Sequence, residues 1–160
     1  MAKLFFKYGT MKSGKSLDLI RTYDTYSRAG FMPLVIYPTT DTRSEPGKVS
    51  SRMLKPIPAT SVAPGGLSKF VEEGNIQEWD VVLVDEVQFF REEDVMAMVD
   101  IVDKCGVPVV AYGLKTDFRA VLFEGSMALL AQADKMEESK TISWAWGKKA
   151  TDHARCTARA

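Results

Sequence analysis

The 160-residue sequence has only two cysteines, Cys105 and Cys156, and neither is part of a CxxC pair. Two separated thiols cannot form a disulfide framework and are typical of a reducing compartment, so we interpret both as ordinary thiols. The amino-terminal segment also lacks a long apolar run, because residues 4–6 are followed at once by Lys7. A signal peptide or a membrane span needs a much longer run, and we therefore expect a cytoplasmic protein.

The sequence has no excess of either charge, since 21 Lys and Arg residues balance 21 Asp and Glu residues. No overall field attracts the protein to nucleic acid or to a membrane, so we predict neither as a partner. Any phosphate site must depend on local groups. The chain also has no internal repeat or low-complexity tract, and its length and 46% hydrophobic content are sufficient for one compact core.

Short apolar runs alternate with helical patterns along the chain. Continuous runs predict buried strands at residues 3–8, 34–37, 81–84 and 107–112. Helical spacing predicts helices that end near residues 28, 73 and 105, two of them followed by a glycine. This alternation predicts an α/β fold with a parallel sheet. Residues 39–66 are rich in proline, glycine, serine and threonine and predict a long loop, for which ligand binding and disorder are alternative interpretations.

A glycine-rich motif lies between the first predicted strand and the first predicted helix. It matches G-x-x-x-x-G-K-[ST] through Gly9, Thr10, Met11, Lys12, Ser13, Gly14, Lys15 and Ser16. Glycines let backbone N–H groups approach phosphate oxygens, and the positive end of the following helix attracts them. We predict an ATP site in which Lys15 reaches the β- and γ-phosphates and Ser16 binds Mg²⁺. A glycine-rich turn with an exposed lysine is the alternative.

Two acidic residues, Asp85 and Glu86, follow the apolar strand at 81–84. A P-loop site needs a carboxylate at the tip of a neighbouring strand to hold Mg²⁺, which is the role we predict for Asp85. Glu86 is then a candidate to accept a proton from an attacking hydroxyl group, or to orient water if the reaction is hydrolysis. By themselves, these acids also fit a solvated strand end.

Aromatic residues lie at the carboxyl ends of two predicted strands. Residues 89–90 follow the strand at 81–84, and residues 112–118 begin at the end of the strand at 107–112. Ligands bind at the carboxyl ends of strands in open parallel sheets, and an aromatic ring there can stack on a base. Such residues are also common in cores, and their spacing does not distinguish these alternatives.

From Leu4 to about Arg155, the chain resembles the class II thymidine kinases, and bacterial members most of all. Five blocks carry the resemblance, at residues 6–16, 41–43, 49–52, 84–90 and 112–118. The resemblance implies a P-loop, RecA-like parallel sheet flanked by helices, and transfer of the γ-phosphate of ATP to the 5′-hydroxyl of thymidine or deoxyuridine with Mg²⁺. It also implies a homo-oligomer, in this family a tetramer.

The resemblance also implies roles for individual residues. Glu86 is the general base and Asp85 serves the metal ion. The ATP-binding set contains the glycine-rich motif, Asp85, and three further residues, Asp41, Arg43 and Gln88. The wall of the base pocket is formed by Leu114, Phe118 and Phe89.

The sequence departs from this family in two places. The family has a small zinc-binding lobe, whose first CxxC pair falls here on Ser143 and Trp146. Since Trp cannot bind zinc and Ser is not a usual ligand, and His153 and Cys156 alone do not complete a tetrahedral site, zinc is not expected. We predict a kinase core at residues 1–140 and a degenerate, truncated remnant of the zinc-ribbon-like lobe at 141–160.

The second departure is that the chain ends at Ala160, whereas the family continues through a lasso-like loop that covers the thymine. Loss of its hydrogen bonds predicts weaker thymidine binding with an intact phosphate site. One alternative is therefore a nucleotide-binding module with impaired or no thymidine phosphorylation. Another is a recombinase-like or helicase-like ATPase, against which the neutral charge speaks.

Overall fold

The computed structural model describes residues 1–9, 15–40, 47–49, 55–116, 119–139, 141–142 and 149–150. The strands in this part of the chain are β1 (Leu4–Gly9), β2 (Pro33–Pro38), β3 (Lys48–Val49), β4 (Ile57–Pro58), β5 (Thr60–Val62), β6 (Val81–Val84), β7 (Val109–Leu114), β8 (Lys135–Ser139), β9 (Thr141–Ile142) and β10 (Lys149–Ala150). The helices are α1 (Lys15–Arg28), α2 (Leu67–Glu73), α3 (Glu92–Cys105) and α4 (Glu124–Gln132). Short 3-10 turns at Ile76–Glu78 and Val87–Phe89 precede and follow β6. None of the described helices is long and apolar enough to cross a membrane.

Six of these strands form one sheet in the order β5-β2-β6-β7-β1-β8. Every neighbouring pair in it is parallel. Among the six strands of this sheet, a helix lies between four of the five pairs that follow one another along the chain, as is usual for parallel pairing. The predicted α/β class with a parallel sheet flanked by helices is therefore confirmed. Because the strands share one direction, their carboxyl ends meet at one edge of the sheet.

Helices cover both faces of the sheet, and this explains why its central strands are apolar throughout. All four residues of β6 have 0% exposure. Val82 and Val84 join a core cluster with side chains of α2, α3 and α4. Val81 and Leu83 join a second cluster with side chains of α1 on the opposite face. A strand that is buried on both faces has no polar side, so its sequence reads as a continuous apolar run.

Helices α1 and α3 end where the sequence predicted, each within two residues of a glycine. Gly30 follows α1 with φ +86°, and Gly106 follows α3 with φ +70°. In this left-handed region glycine has no Cβ to clash, so it is favoured after the last helical turn. At the end of α1, the N–H of Phe31 donates to the carbonyl of Tyr26 at 2.9 Å. The predicted helix stops are confirmed, as is the helix at 67–73.

A buried carboxylate fixes the start of α3 to the loop before α2. Asp94 has 0% exposure and accepts three backbone N–H groups. They belong to Gly65 at 2.7 Å, Leu67 at 3.1 Å and Arg91 at 2.8 Å. The Arg91 contact satisfies an N–H at the beginning of α3, while the other two tie the preceding loop to the same helix.

The prediction of one long loop at residues 39–66 is wrong in part. The segment contains β5, which is the edge strand next to β2, and β3 and β4, which pair antiparallel with each other. These strands have two or three residues, and only one residue of each is buried, so they leave no apolar run in the sequence. Backbone hydrogen bonds to β2 hold the edge strand, and those bonds have no sequence signature.

Other differences concern the second half of the chain. The strand predicted at 107–112 lies at Val109–Leu114, so Gly113 is within the strand. Neither α4 nor the edge strand β8 was predicted. In residues 141–160, the structure describes only β9 and β10, which pair antiparallel. The domain boundary after residue 140 and the interpretation of 141–160 as a lobe remnant stay predictions.

Candidate active site

The site lies at the carboxyl edge of the sheet, where β1, β7 and β6 end side by side. Gly9 at the end of β1 is opposite Leu114 at the end of β7. On the other side of β7, Ala111 is opposite Val84, the last residue of β6. The acids that follow β6 are therefore one strand removed from β1, with β7 between them. This edge of a parallel sheet is where ligands are generally bound.

Lys15 is the first residue of α1, close after the end of β1. It is half-buried, and desolvation lowers the pKa of its ammonium group, while the charges of Glu86 and Asp85 oppose that shift. A lysine and two carboxylates from distant parts of the sequence are therefore close enough to interact. The amino end of α1 adds its positive dipole at the same place. The arrangement can bind an anionic ligand together with a cation.

The remaining motif residues, Thr10 to Gly14, lie outside the described residues, as does the side chain of Ser16. The same holds for Asp41, Arg43 and Phe118, and for the zinc-lobe positions Ser143, Trp146, His153 and Cys156. The sequence-based roles of all these residues stay predictions.

Beneath this edge, charged and hydroxyl groups connect β1, α1 and β7. Lys7 on β1 forms a 3.1 Å ion pair with Asp18 on α1, and its ammonium lies 5.8 Å from the centre of the Tyr112 ring. The buried Tyr112 hydroxyl donates to Thr22 at 3.2 Å. Burial is the main reason why the pKa of Tyr112 is raised. These contacts fix the elements on both sides of the glycine-rich motif, and they place Tyr112 in the core rather than in the ligand site.

Asp85 and Glu86 form a tight turn directly after β6. Asp85 is only 3% exposed, and its Oδ1 accepts the backbone N–H of Glu86 at 3.0 Å. Glu86 has φ 51° and ψ 43°, a left-handed conformation that is uncommon for a residue with a side chain. Such conformations cost about 1–3 kcal/mol each and are enriched at functional sites. The turn gives the two consecutive carboxylates different surroundings.

The chemistry of Asp85 suits Mg²⁺, which prefers oxygen ligands and binds through one or two carboxylates plus substrate phosphates. Among the described residues, no group of three or more His, Cys, Asp and Glu side chains is placed to hold a metal ion. A metal ion at Asp85 would therefore need further ligands, and phosphate oxygens are suitable ones.

Gln88 connects the acidic turn with the end of β7. Its Nε2 donates to Oε2 of Glu86, and its Oε1 accepts the backbone N–H of Leu114 at 3.1 Å. The side chain is 4% exposed. It lies so close to β7 that a Cβ at Gly113 would be 2.5 Å from Oε1 of Gln88. The family resemblance implies an ATP contact for Gln88, whereas both ends of its amide have hydrogen-bond partners within the protein.

An apolar wall stands beside these polar groups. Phe89 is 44% exposed, and its ring meets that of Phe123 edge to face with centroids 6.2 Å apart. Leu114 is half-buried at the end of β7, and Phe90 is buried in the core. Phe123, which lies just before α4 at the end of a short apolar run, was not predicted from the sequence. Only the return of the chain to β7, through a bridge between Thr116 and Leu122, brings it beside Phe89.

The amino end of α4 supports the turn that carries Gln88 and Phe89. Ser126 is fully buried, and its hydroxyl donates to the carbonyl of Leu114. A Cβ at Gly125 would lie 2.5 Å from the carbonyl oxygen of Val87 and 2.7 Å from that of Phe90. Only glycine permits α4 to approach the turn so closely. The helix therefore holds the turn after β6 and the end of β7 in one arrangement.

Comparisons with known proteins agree on one family. A family model described as thymidine kinase matches residues 2–160. A thymidine kinase from Lactococcus lactis is 43% identical over 152 residues, which are 94% of this chain and 80% of that protein. A thymidine kinase from Xanthomonas oryzae is 41% identical over 162 residues, covering 99% of this chain and 77% of that protein. A solved structure of the Pif1 helicase from Candida albicans has a TM-score of 0.43 and 13% identity, covering 86% of this chain and 36% of that one. That likeness is too low to support an argument.

Proposed function

The chain belongs to the thymidine kinase family, and we propose that it transfers the γ-phosphoryl group of ATP to the 5′-hydroxyl of thymidine, with deoxyuridine as a second substrate. The observation that carries this proposal is that Lys15, at the start of α1, and the acidic turn of Asp85 and Glu86 lie at the same carboxyl edge of the sheet, close enough for their charges to interact. Phosphoryl transfer needs a cation for the phosphates, a carboxylate for a metal ion and a group that accepts the proton of the hydroxyl. Each of these needs has a candidate side chain at this edge.

In the proposed mechanism, Lys15 and the amino end of α1 bind the β- and γ-phosphates. Asp85 and Ser16 would hold Mg²⁺, which would neutralise charge on the phosphate oxygens. Glu86 accepts the proton of the 5′-hydroxyl as that oxygen attacks the γ-phosphorus and the bond to the leaving oxygen of ADP breaks. The half-buried position of Lys15 strengthens its attraction to phosphate, because screening by water is reduced there.

Recognition of the phosphates and of the base involves further residues. We assign the rest of the motif from Gly9 to Ser16, together with Asp41 and Arg43, to ATP. We assign Phe89, Leu114 and Phe118 to the thymine, and Phe123 joins this group because its ring contacts that of Phe89. Aromatic side chains suit a flat base, since stacking is favourable and does not require fixed hydrogen bonds.

The alternative of a nucleotide-binding module without transfer is not favoured, because the relatives that match nearly the whole chain are thymidine kinases. Three further features belong to the proposal alone. They are a homotetramer, a cytoplasmic location and the absence of a zinc site, and each is based on the sequence and on the resemblance to the family.

The proposed function is tested with purified protein, thymidine, Mg²⁺ and ATP labelled at the γ-phosphate. We expect labelled thymidine monophosphate that depends on thymidine and is abolished by EDTA. Parallel reactions with water in place of thymidine measure any ATP hydrolysis without transfer. Thymidine-independent release of phosphate, with no labelled nucleotide, would refute the kinase proposal and favour an ATPase.

A further inference from the structure

We infer that Gln88 is a positioning residue for Glu86 and not a ligand of ATP. This inference rests on the proposed role of Glu86 as the general base, and it extends that role to a residue that need not contact either substrate. The geometry of the turn after β6 carries it.

Both ends of the Gln88 amide have defined partners, and these partners determine its orientation. The Leu114 N–H is a donor, so it requires the Oε1 acceptor at 3.1 Å. The Nε2 donor therefore faces Glu86, whose carboxylate oxygen accepts its hydrogen bond. Rotation of the amide by 180° would place two donors together at Leu114. The side chain thus has one favourable arrangement, in which it links the end of β7 to Glu86.

The surroundings of Gln88 keep it in this arrangement. Its side chain is almost fully buried, and Gly113 provides the space for it, since a Cβ there would lie 2.5 Å from Oε1 and 2.8 Å from Cγ1 of Val87. To reach a nucleotide, the amide would have to leave the Leu114 N–H or the Glu86 carboxylate. A buried group that loses its partner is costly, so this change is disfavoured.

Glu86 needs such a support because its side chain has several rotatable bonds and its backbone is in the left-handed region. A base acts efficiently only when it is held within hydrogen-bond reach of the hydroxyl group. Misplacement by about 1 Å can reduce the rate roughly 100-fold. A bond from a buried amide, itself anchored to β7, holds the carboxylate without using a substrate contact.

The first test is Gln88→Met, which keeps the length of the side chain and removes both hydrogen bonds. We expect kcat to fall about 10- to 100-fold, while KM for ATP, KM for thymidine and calorimetric ATP affinity stay within about twofold. The matched control is Gln77→Met, because Gln77 is exposed in the turn before β6 at the opposite end of the strand. A rise in the Kd for ATP with an unchanged kcat would overturn the inference in favour of an ATP ligand.

A second measurement separates positioning from stability. The melting temperatures of Gln88→Met and the wild type are compared, and kcat is measured well below both, so that a loss of turnover belongs to the folded protein. A double-mutant cycle then tests whether Gln88 affects turnover through Glu86. In the Glu86→Gln background, Gln88→Met should reduce the residual turnover less than twofold, since the group on which it acts is gone. Full additivity of the two losses would refute the inference.

A measurement without turnover distinguishes this inference from the proposed function. In nucleotide-free protein, the side-chain NH₂ protons of Gln88 should exchange slowly by NMR, and faster in Glu86→Ala. An inactive wild-type protein with protected NH₂ protons would refute the proposed function and leave the contact between Gln88 and Glu86 supported. Unprotected NH₂ protons in an active protein would refute the positioning role alone.

Discussion

Replacing Gly125 with alanine has two opposite effects on the stability of the protein, and both arise at α4. In a helix, this change normally stabilises a protein by about 1 kcal/mol, because alanine has the higher helix propensity. At this position, however, the new Cβ would lie 2.5 Å and 2.7 Å from the carbonyl oxygens of Val87 and Phe90. Both are backbone atoms, so they cannot rotate away as the end of a flexible side chain can.

The expected loss of stability can be estimated from these distances. Ordinary van der Waals contact begins at 3.4 Å, so α4 and the turn after β6 must separate to admit the methyl group. Overpacking of this kind costs about 1–3 kcal/mol, and close contacts with two backbone atoms belong at the upper end. After the gain in helix propensity, the free energy of unfolding should fall by about 2 kcal/mol. In a domain of this length, that loss lowers Tm by about 4–8 °C.

Thermal unfolding followed by circular dichroism measures this effect, and the kcat of the folded variant should fall several-fold, since the displaced turn carries Gln88. Gly30→Ala is the control, because a Cβ there meets no atom within 4 Å and its cost comes only from φ +86°. A Gly125→Ala variant that melts above the wild-type temperature would show that helix propensity is the larger effect. The inferred close packing of α4 on the turn would then be incorrect.

Three further predictions concern single side chains. Glu86→Gln should lower kcat about 100- to 10,000-fold and leave calorimetric ATP binding intact, because it removes only the base; near-normal turnover, compared with exposed Glu72→Gln, would refute that role. Asp94→Ala leaves three backbone N–H groups without their acceptor, so urea unfolding should show a loss on the order of 3 kcal/mol, against a negligible loss for exposed Asp103→Ala on the same helix. Burial raises the pKa of Tyr112 in the folded state, so the unfolded chain loses this proton first and stability falls as the pH rises above about 10. Urea unfolding at pH 8 and pH 11 should show a smaller drop for Tyr112→Phe, and equal drops would contradict the assignment.

The central strands and the helix ends were predictable because burial and backbone conformation restrict which residues can occur there. β6 is apolar at every position, since helices cover both faces of the sheet, and Gly30 and Gly106 mark helix ends that need a positive φ. Edge strands have no such pattern. In the described part of the chain, the edge strands Thr60–Val62 and Lys135–Ser139 are paired on one side only, and charged or polar residues suit an exposed edge.

The sequence offered candidate residues for the site but not their arrangement. The motif at Gly9–Ser16 and the acids after β6 predicted a phosphate site and a metal site. The support of Glu86 by Gln88 depends on β7 lying beside β6, and sheet order is not encoded locally. The left-handed backbone of Glu86 was also unforeseen, because nothing in the sequence marks a non-glycine residue for positive φ.

The order of strands in the sheet also has a consequence for how the protein is made. β1 leads into the phosphate-binding motif, yet both of its neighbours, β7 and β8, come from much later in the chain. The Leu4 N–H, for example, bonds the carboxylate of Asp134, 130 residues away. Contacts between such distant residues form late and slow the folding reaction. During synthesis, β1 therefore stays unpaired until β7 has been made, and a nascent chain that stops short of β7 lacks the strand that joins β1 to β6.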